Sequence, residues 1–395
     1  MGSEAEKNLL GDLERSLAEL RARDQLRSLA QAAGVNLCSN DYLGLAEDLR
    51  LKEATLKAVA AAARMGGTGS RLLSGHDPAW NELEEEFTEF AETDAALYFA
   101  NGYAANLGLL SAVLGKKDLV FSDELNHASL IDGIRLSAAR KVIYPHRDLH
   151  TLERLLREHE SESCRKLVVT ESVFSMDGDV ADVWAMQGLA ERYGASLVVD
   201  EAHATAVHGP GGAGVVAEAG LTRTVFATVH TCGKALACAG AFVCGSRVLK
   251  EFLINHARTL IFSTAMPPYM AGQIRAGLRL ARAMDAERKT LLALSAELSR
   301  SVSREGFNVC GSASQIVPVV FGSNEDALAA AAFLQNRGFA VKAIRPPTVP
   351  AGTARLRLSL TARITREHVT TLVAALQNWR RPQSPLAAAE VAGRA

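Results

Sequence analysis

Between residues 96 and 245 the chain alternates short apolar runs with helix-like segments: ALYFA, LVFS, KVIYP, KLVVT, SLVVD, TVFAT and AFVCG. The runs are near-continuously apolar rather than alternating, as strands covered on both faces must be. Seven of them separated by helical patterns predict an α/β fold with a seven-stranded, mostly parallel sheet. A helical stretch from about 268 to 305 follows. QIVPVVFG, EDALAAAAFLQNRG, AVKAIR, ARLRLSL and REHVTTLVAALQNW then predict strand, helix, strand, strand and helix in a smaller α+β domain. Leucines at helical spacing over 4–31 predict an amphipathic helix with i,i+4 charge pairs. The expected units are an N-terminal helical arm (1–45), a large domain (46–270), a C-terminal α+β domain (271–382) and a tail (383–395).

With 43 basic and 44 acidic residues the net charge is -1, and the signs are mixed. No basic stripe is available for nucleic acid, so the expected partners are small molecules bound by particular residues. The N-terminus carries charges where a signal peptide needs an apolar stretch, and no run approaches membrane-spanning length, which predicts a cytoplasmic protein with no membrane partner. Cysteines at 38, 164, 232, 238, 244 and 310 show no close pairing, so neither a zinc site nor a disulfide framework is expected. Cys232 lies two residues before Lys234, either packed in the core or partly exposed in the same pocket.

In open α/β sheets, ligands bind at the carboxyl ends of strands. NGYAAN, DELNHASLIDG, TESVFSMDGD and DEAHATAVHG each follow an apolar run, and together they would ring one pocket. Beyond them, Lys234 follows Asp200 and His203. A lysine amine forms a Schiff base with an aldehyde, and a carboxylate keeps a pyridine nitrogen protonated, so this trio points to pyridoxal 5'-phosphate (PLP). His127 can stack on a ring and move a proton. Asn101, Gly102 and Tyr103 open a helix whose free amides can receive a phosphate, and Thr231 with Ser263 or Thr264 can add hydroxyl donors. Arg345 lies in a Pro-rich loop. Arg355 and Arg357 share a strand face, where one inward guanidinium can grip a carboxylate through two hydrogen bonds. Taken singly, each has a plainer reading: surface lysine, helix cap, structural histidine, exposed ion pair. HGPGGAG (208–214) lacks the strand and acidic residue of a dinucleotide motif and is expected to be a flexible loop. No G-x-S-x-G elbow occurs.

SNDYLGLA, GTGSRLLSGH, NHASLIDG, DEAHATAVHG, the lysine segment, LIFSTAMPP and AIRPPTVPAGTARLRLSL, in this order over roughly 36–380, resemble the α-oxoamine synthases, fold type I PLP-dependent enzymes. The resemblance implies Lys234 as the Schiff-base lysine, Asp200 as the partner of the ring nitrogen, His203 as donor to the ring hydroxyl and His127 as the stacking residue. It implies Ser172 near that hydroxyl, Gly102, Tyr103 and Thr231 around the phosphate, and Thr264 reaching across from a second subunit of a homodimer with shared sites. Arg357 resembles the arginine for the amino acid carboxylate, and Asn40 and Ser70 match positions near the substrates. Arg27 matches the arginine for the far carboxylate of the acyl chain.

Relatives using glycine carry threonine at the position of Ser70. Serine leaves room for a methyl group, and RPPTVP points the same way. The implied reaction is condensation of L-alanine with a pimeloyl thioester of CoA or acyl carrier protein, with loss of CO2; the alternative is glycine, serine or another acyl chain. Trp80, where relatives carry histidine, Cys232, and a short segment before residue 36 depart from the pattern.

Overall fold

The computed structural model describes residues 4–29 and 33–380. A two-residue strand β1 (Val35–Asn36) precedes the central sheet, built from β2 (Ala95–Phe99), β3 (Leu119–Asp123), β4 (Arg140–Tyr144), β5 (Lys166–Glu171), β6 (Ser196–Asp200), β7 (Ala227–Thr231) and β8 (Ala241–Gly245). Their order across the sheet is β2-β8-β7-β6-β5-β3-β4, and only β8 runs antiparallel to its neighbours. The seven-stranded, mostly parallel sheet expected from the apolar runs is present.

Strand periodicity divides the apolar side chains between two cores. Leu197 and Val199 of β6 join one core and Val198 the other; Leu119 and Phe121 of β3 oppose Val120 in the same way. Because successive side chains point to opposite faces, a strand covered on both sides needs apolar residues at every position.

One strand is displaced from its expected place. TVFAT (224–228) reads as strand, but β7 spans Ala227–Thr231. Thr, Val and Phe of the stretch favour extended backbone, and register is decided by the pairing of Val198–Asp200 with Ala227–Val229.

The helix expected over 4–31 stops at Ala22; Asp24 lies in the left-handed region (φ 52), and residues 30–32 lie outside the described residues. The expected arm is therefore helical only in its first half. The stretch 268–305 is two helices, Tyr269–Arg282 and Asp285–Arg304, separated at Ala283–Met284, where Asp285 and Glu287 begin a new acidic first turn.

AVKAIR is also divided. β10 (Phe339–Ala340) pairs with β1, whereas β11 (Ala343–Ile344) pairs with β12 (Ala354–Ser359), which pairs in turn with β9 (Ile316–Gly322). Val35–Asn36 is thus tied to the C-terminal part of the chain. The expected tail (383–395) lies outside the described residues.

HGPGGAG is a packed turn rather than an open loop. Gly212 has φ 84, and a Cβ there would meet Ala206 Cα at 2.6 Å, so glycine permits both the conformation and the contact. No described helix is long and apolar enough to cross a membrane.

Trp80 is wholly buried and stacks on Tyr98 at 4.4 Å between centroids. Removing so large a side chain leaves a cavity, so Trp80→Ala should destabilise the fold by about 3–5 kcal/mol. A denaturant titration followed by circular dichroism, with a lowered midpoint, checks it.

Candidate active site

A cavity of about 430 Å³ opens at the carboxyl ends of the central strands, lined by Asn40, Gly102, Tyr103, His127, Asp200, His203, Thr231 and Lys234 among others. That volume suits a small cofactor with its substrate. Asp200 ends β6 with a carboxylate already held: Asn106 Nδ2 donates to Oδ2 at 2.6 Å, and the Ala202 amide donates to Oδ1 at 2.8 Å. Asn106 also donates to Ser129 Oγ at 2.9 Å, tying the helix Gly102–Val113 to the helix Ala128–Ser137.

Lys234 follows β7, with Nζ 3.5 Å from Thr231 Oγ1. Burial lowers its pKa against the opposing pull of Asp200 and Glu171, which favours a neutral, nucleophilic amine.

His203 packs Nδ1 2.6 Å from the Tyr42 hydroxyl. Burial, reinforced by the charges of Lys234 and Arg357, holds its pKa well below the usual value, so the ring is neutral. His127 caps its helix; Nδ1 accepts the Ser129 amide at 3.2 Å, so the neutral ring carries its proton on Nε2. Asn101 caps the helix Gly102–Val113, accepting the Ala104 amide at 2.8 Å. A Cβ on Gly102 would lie 2.6 Å from Thr231 Cγ2, so glycine lets the first amides of this helix approach Thr231.

The two arginines of β12 are separated by their partners. Arg355 is ion-paired with Asp177. Arg357 meets only neutral acceptors: Asn40 Oδ1 at 3.0 Å, Ser359 Oγ at 2.6 Å, the Tyr42 hydroxyl at 3.4 Å and the Ser175 carbonyl. A buried guanidinium with no carboxylate among the described residues is prepared for one from a ligand.

Other expected residues lie elsewhere. Ser172 does not line the cavity: just past the end of β5, its hydroxyl donates to Glu201 Oε2 at 3.0 Å and lies 3.3 Å from the Asp200 carbonyl oxygen. Ser70 and Thr264 are outside the cavity, in two loops joined by the Ala265 amide donating to Gly69 O at 2.8 Å. Arg27 Nη2 donates to Thr348 Oγ1 at 3.1 Å, while Arg345 bonds the carbonyls of Asp24 and Leu26. Burial and then the charge of Arg27 lower the pKa of Arg345. Their hydrogen-bond partners among the described residues are all neutral.

Sequence reading missed Asn106, Tyr42, Ser129 and Glu171. Asn106 stands one helical turn beyond Gly102, a spacing that places it over the same strand ends.

Cys232 is wholly buried, and Cys238 is the thiol at the cavity wall. Burial raises the Cys238 pKa to about 12, so its reactive thiolate is scarce near neutrality. Alkylation of the native protein should spare Cys232, Cys238 and Cys244, and peptide mass spectrometry reads which cysteines are labelled.

Residues 32–376 match the model of the class I and II aminotransferases. The chain belongs to that family. Within it, the chain is 45% identical to an 8-amino-7-oxononanoate synthase of Anaeromyxobacter dehalogenans, over 95% of this chain and 94% of the relative. Among solved structures it resembles a serine palmitoyltransferase holding PLP (31% identity, TM-score 0.83, 88% and 87% of the two chains). It also resembles the 8-amino-7-oxononanoate synthase of Francisella tularensis (25%, TM-score 0.77, 89% and 98%).

This aminotransferase-family member has the fold type I architecture, and PLP is its cofactor. The cavity suits that group. Glu171 Oε1 and Asn106 Oδ1 are buried there without a partner among the described residues, and Gly102 leaves its helix start open. Lys234 would attach the cofactor, Asp200 would meet its ring nitrogen, and Gly102, Tyr103 and Thr231 would take its phosphate.

Proposed function

We propose that this enzyme condenses L-alanine with a pimeloyl thioester, carried by CoA or acyl carrier protein, to give 8-amino-7-oxononanoate, CO2 and the free carrier, a step of biotin biosynthesis. The observation that carries the reading is the convergence of Lys234, Asp200, His203 and His127 on one cavity beside an unpaired Arg357. The similarity to 8-amino-7-oxononanoate synthases along nearly the whole chain supports it. When bound, PLP supplies an electron sink for the carbanion that attacks the thioester and for the one left by decarboxylation.

The chain's own groups do the rest. Arg357 holds the alanine carboxylate through two N–H donors. Lys234 Nζ, whose pKa burial lowers, removes the α proton and later returns one. Asp200, held by its two hydrogen bonds, would meet the ring nitrogen, and His203, braced by Tyr42, would serve the ring oxygen. His127, on the cavity wall, would lie against the ring and keep water from one side.

Arg27 and Arg345, which form no ion pair among the described residues, would receive the far carboxylate of the acyl chain. The reading extends to a homodimer in which Ser70 and Thr264 reach the partner's cavity, supported by exposed Leu73 and Phe262 near these loops. Ser70 there leaves room for the alanine methyl. All six cysteines are free thiols, which favours the cytoplasm.

Mass spectrometry of the products from L-alanine and pimeloyl-CoA tests the reaction, and absence of the decarboxylated amino ketone overturns it. Arg357→Gln should raise the KM for alanine about 10–100-fold, the scale of a hydrogen-bonded charge pair, with a smaller change in kcat. Steady-state kinetics reads the split.

A further inference from the structure

Outside the cavity, three loops at the same end of the sheet meet on one imidazole. His146, just after β4, places Nδ1 2.9 Å from Asp123 Oδ1 and Nε2 2.8 Å from Asp179 Oδ2. The next residue strengthens the cluster: the Arg147 amide donates to Asp123 Oδ2 at 2.9 Å, and its Nη1 donates to Asp179 Oδ2 at 2.9 Å. Arg147 adopts φ 55, a left-handed conformation that a non-glycine residue keeps only when its surroundings impose it. The ring of Phe174 meets His146 edge-on at 4.4 Å. Both aspartates are about 2% exposed. Burial opposes a charge on the ring, but the hydrogen bonds to Asp123 and Asp179 outweigh it and raise the His146 pKa to about 10, so the bridge is an imidazolium.

The two aspartates begin and end segments that reach the site. Asp123 opens the loop leading to His127. Asp179 closes the segment 171–179, in which the Ser175 carbonyl accepts from Arg357 Nε and Asp177 pairs with Arg355. The same segment is wedged against β9: Ser314 Oγ donates to Gly178 O at 2.7 Å, and a Cβ on Gly178 would lie 1.9 Å from Ile316 O. Arg357 belongs to the C-terminal three-stranded sheet and His127 to the central domain, so their relative placement depends on this segment.

We propose that His146, bridging Asp123 and Asp179, is a positioning residue that locks segment 174–179 onto the loop of His127 and so sets Arg357 for the amino acid carboxylate. The proposal rests on the reading of Arg357 as the carboxylate-binding residue. Without the bridge, Arg147 alone is left to balance two buried carboxylates, and the Ser175 carbonyl loses its fixed place. The consequence falls on amino acid binding, not on the proton transfers at Lys234.

The test uses the holoenzyme of His146→Gln and Asp179→Asn beside Arg357→Gln. Alanine affinity is read from the change in cofactor absorbance, kcat from product formation, and hydrogen exchange of segment 174–179 without substrate. The expected result is alanine affinity about tenfold weaker in both clamp variants, as for coupling through a packed network, with kcat nearly kept and faster exchange in the segment. Adding His146→Gln to Arg357→Gln should weaken affinity no further, because one acts through the other.

Unchanged alanine affinity in folded His146→Gln and Asp179→Asn, with Arg357→Gln weakened, overturns the positioning role alone. A proportional fall of kcat and affinity overturns it too, since that marks general loosening. Unchanged affinity in Arg357→Gln overturns the carboxylate reading, and the positioning role with it.

Discussion

Lys234→Ala should abolish covalent retention of the cofactor and lower kcat by at least about 10³-fold, since a general base alone contributes about 10²–10⁴. Among the described residues no other lysine lines the cavity, so no neighbouring amine there can take over the attachment. The substitution should leave the fold intact: Lys234 makes one long hydrogen bond, to Thr231, and its removal relieves the burial of an amine. Borohydride reduction of wild-type holoenzyme followed by peptide mapping should find the cofactor on Lys234, and visible absorbance of the variant after gel filtration should be lost. Cofactor found covalently on another lysine would remove Lys234 from its role.

Asp200→Asn should lower kcat by about 10²–10³-fold, the scale of losing one preorganised electrostatic partner. The amide keeps the shape of the carboxylate and can still accept from Ala202 or Asn106, but it cannot balance a protonated ring nitrogen. Glu171 pairs beside Asp200 in the sheet and is no substitute. Burial, then the Asp200 charge, push its pKa well above the usual carboxylate value, which disfavours a second negative charge there. Pre-steady-state proton abstraction from alanine should slow in step with kcat while alanine affinity changes little. An Asp200→Asn enzyme with nearly normal turnover would refute the assignment.

How far the site could be read before folding depended on whether a residue's partners were local. Asp200, Gly102 and Thr231 sit at strand ends or a helix start, where strand periodicity and helix capping already fix their direction. Ser172 fails that test by one residue: it follows Glu171, the last residue of β5 and a cavity residue, and its hydroxyl turns to Glu201. Tyr42 was invisible because it meets His203 across 161 residues of chain. Arg355 and Arg357 share a face, so alternation alone could not choose between them, and Asp177 made the choice by neutralising one.

The sequence by itself determined the layered sheet, through apolar runs that only a doubly covered strand tolerates, and the order of Asp200, His203 and Lys234 at its edge. The tertiary structure alone decided the charges. Lys234 is favoured neutral, His203 is neutral and His146 charged because of what each is buried against, and burial and pairing are properties of packed neighbours rather than of local pattern.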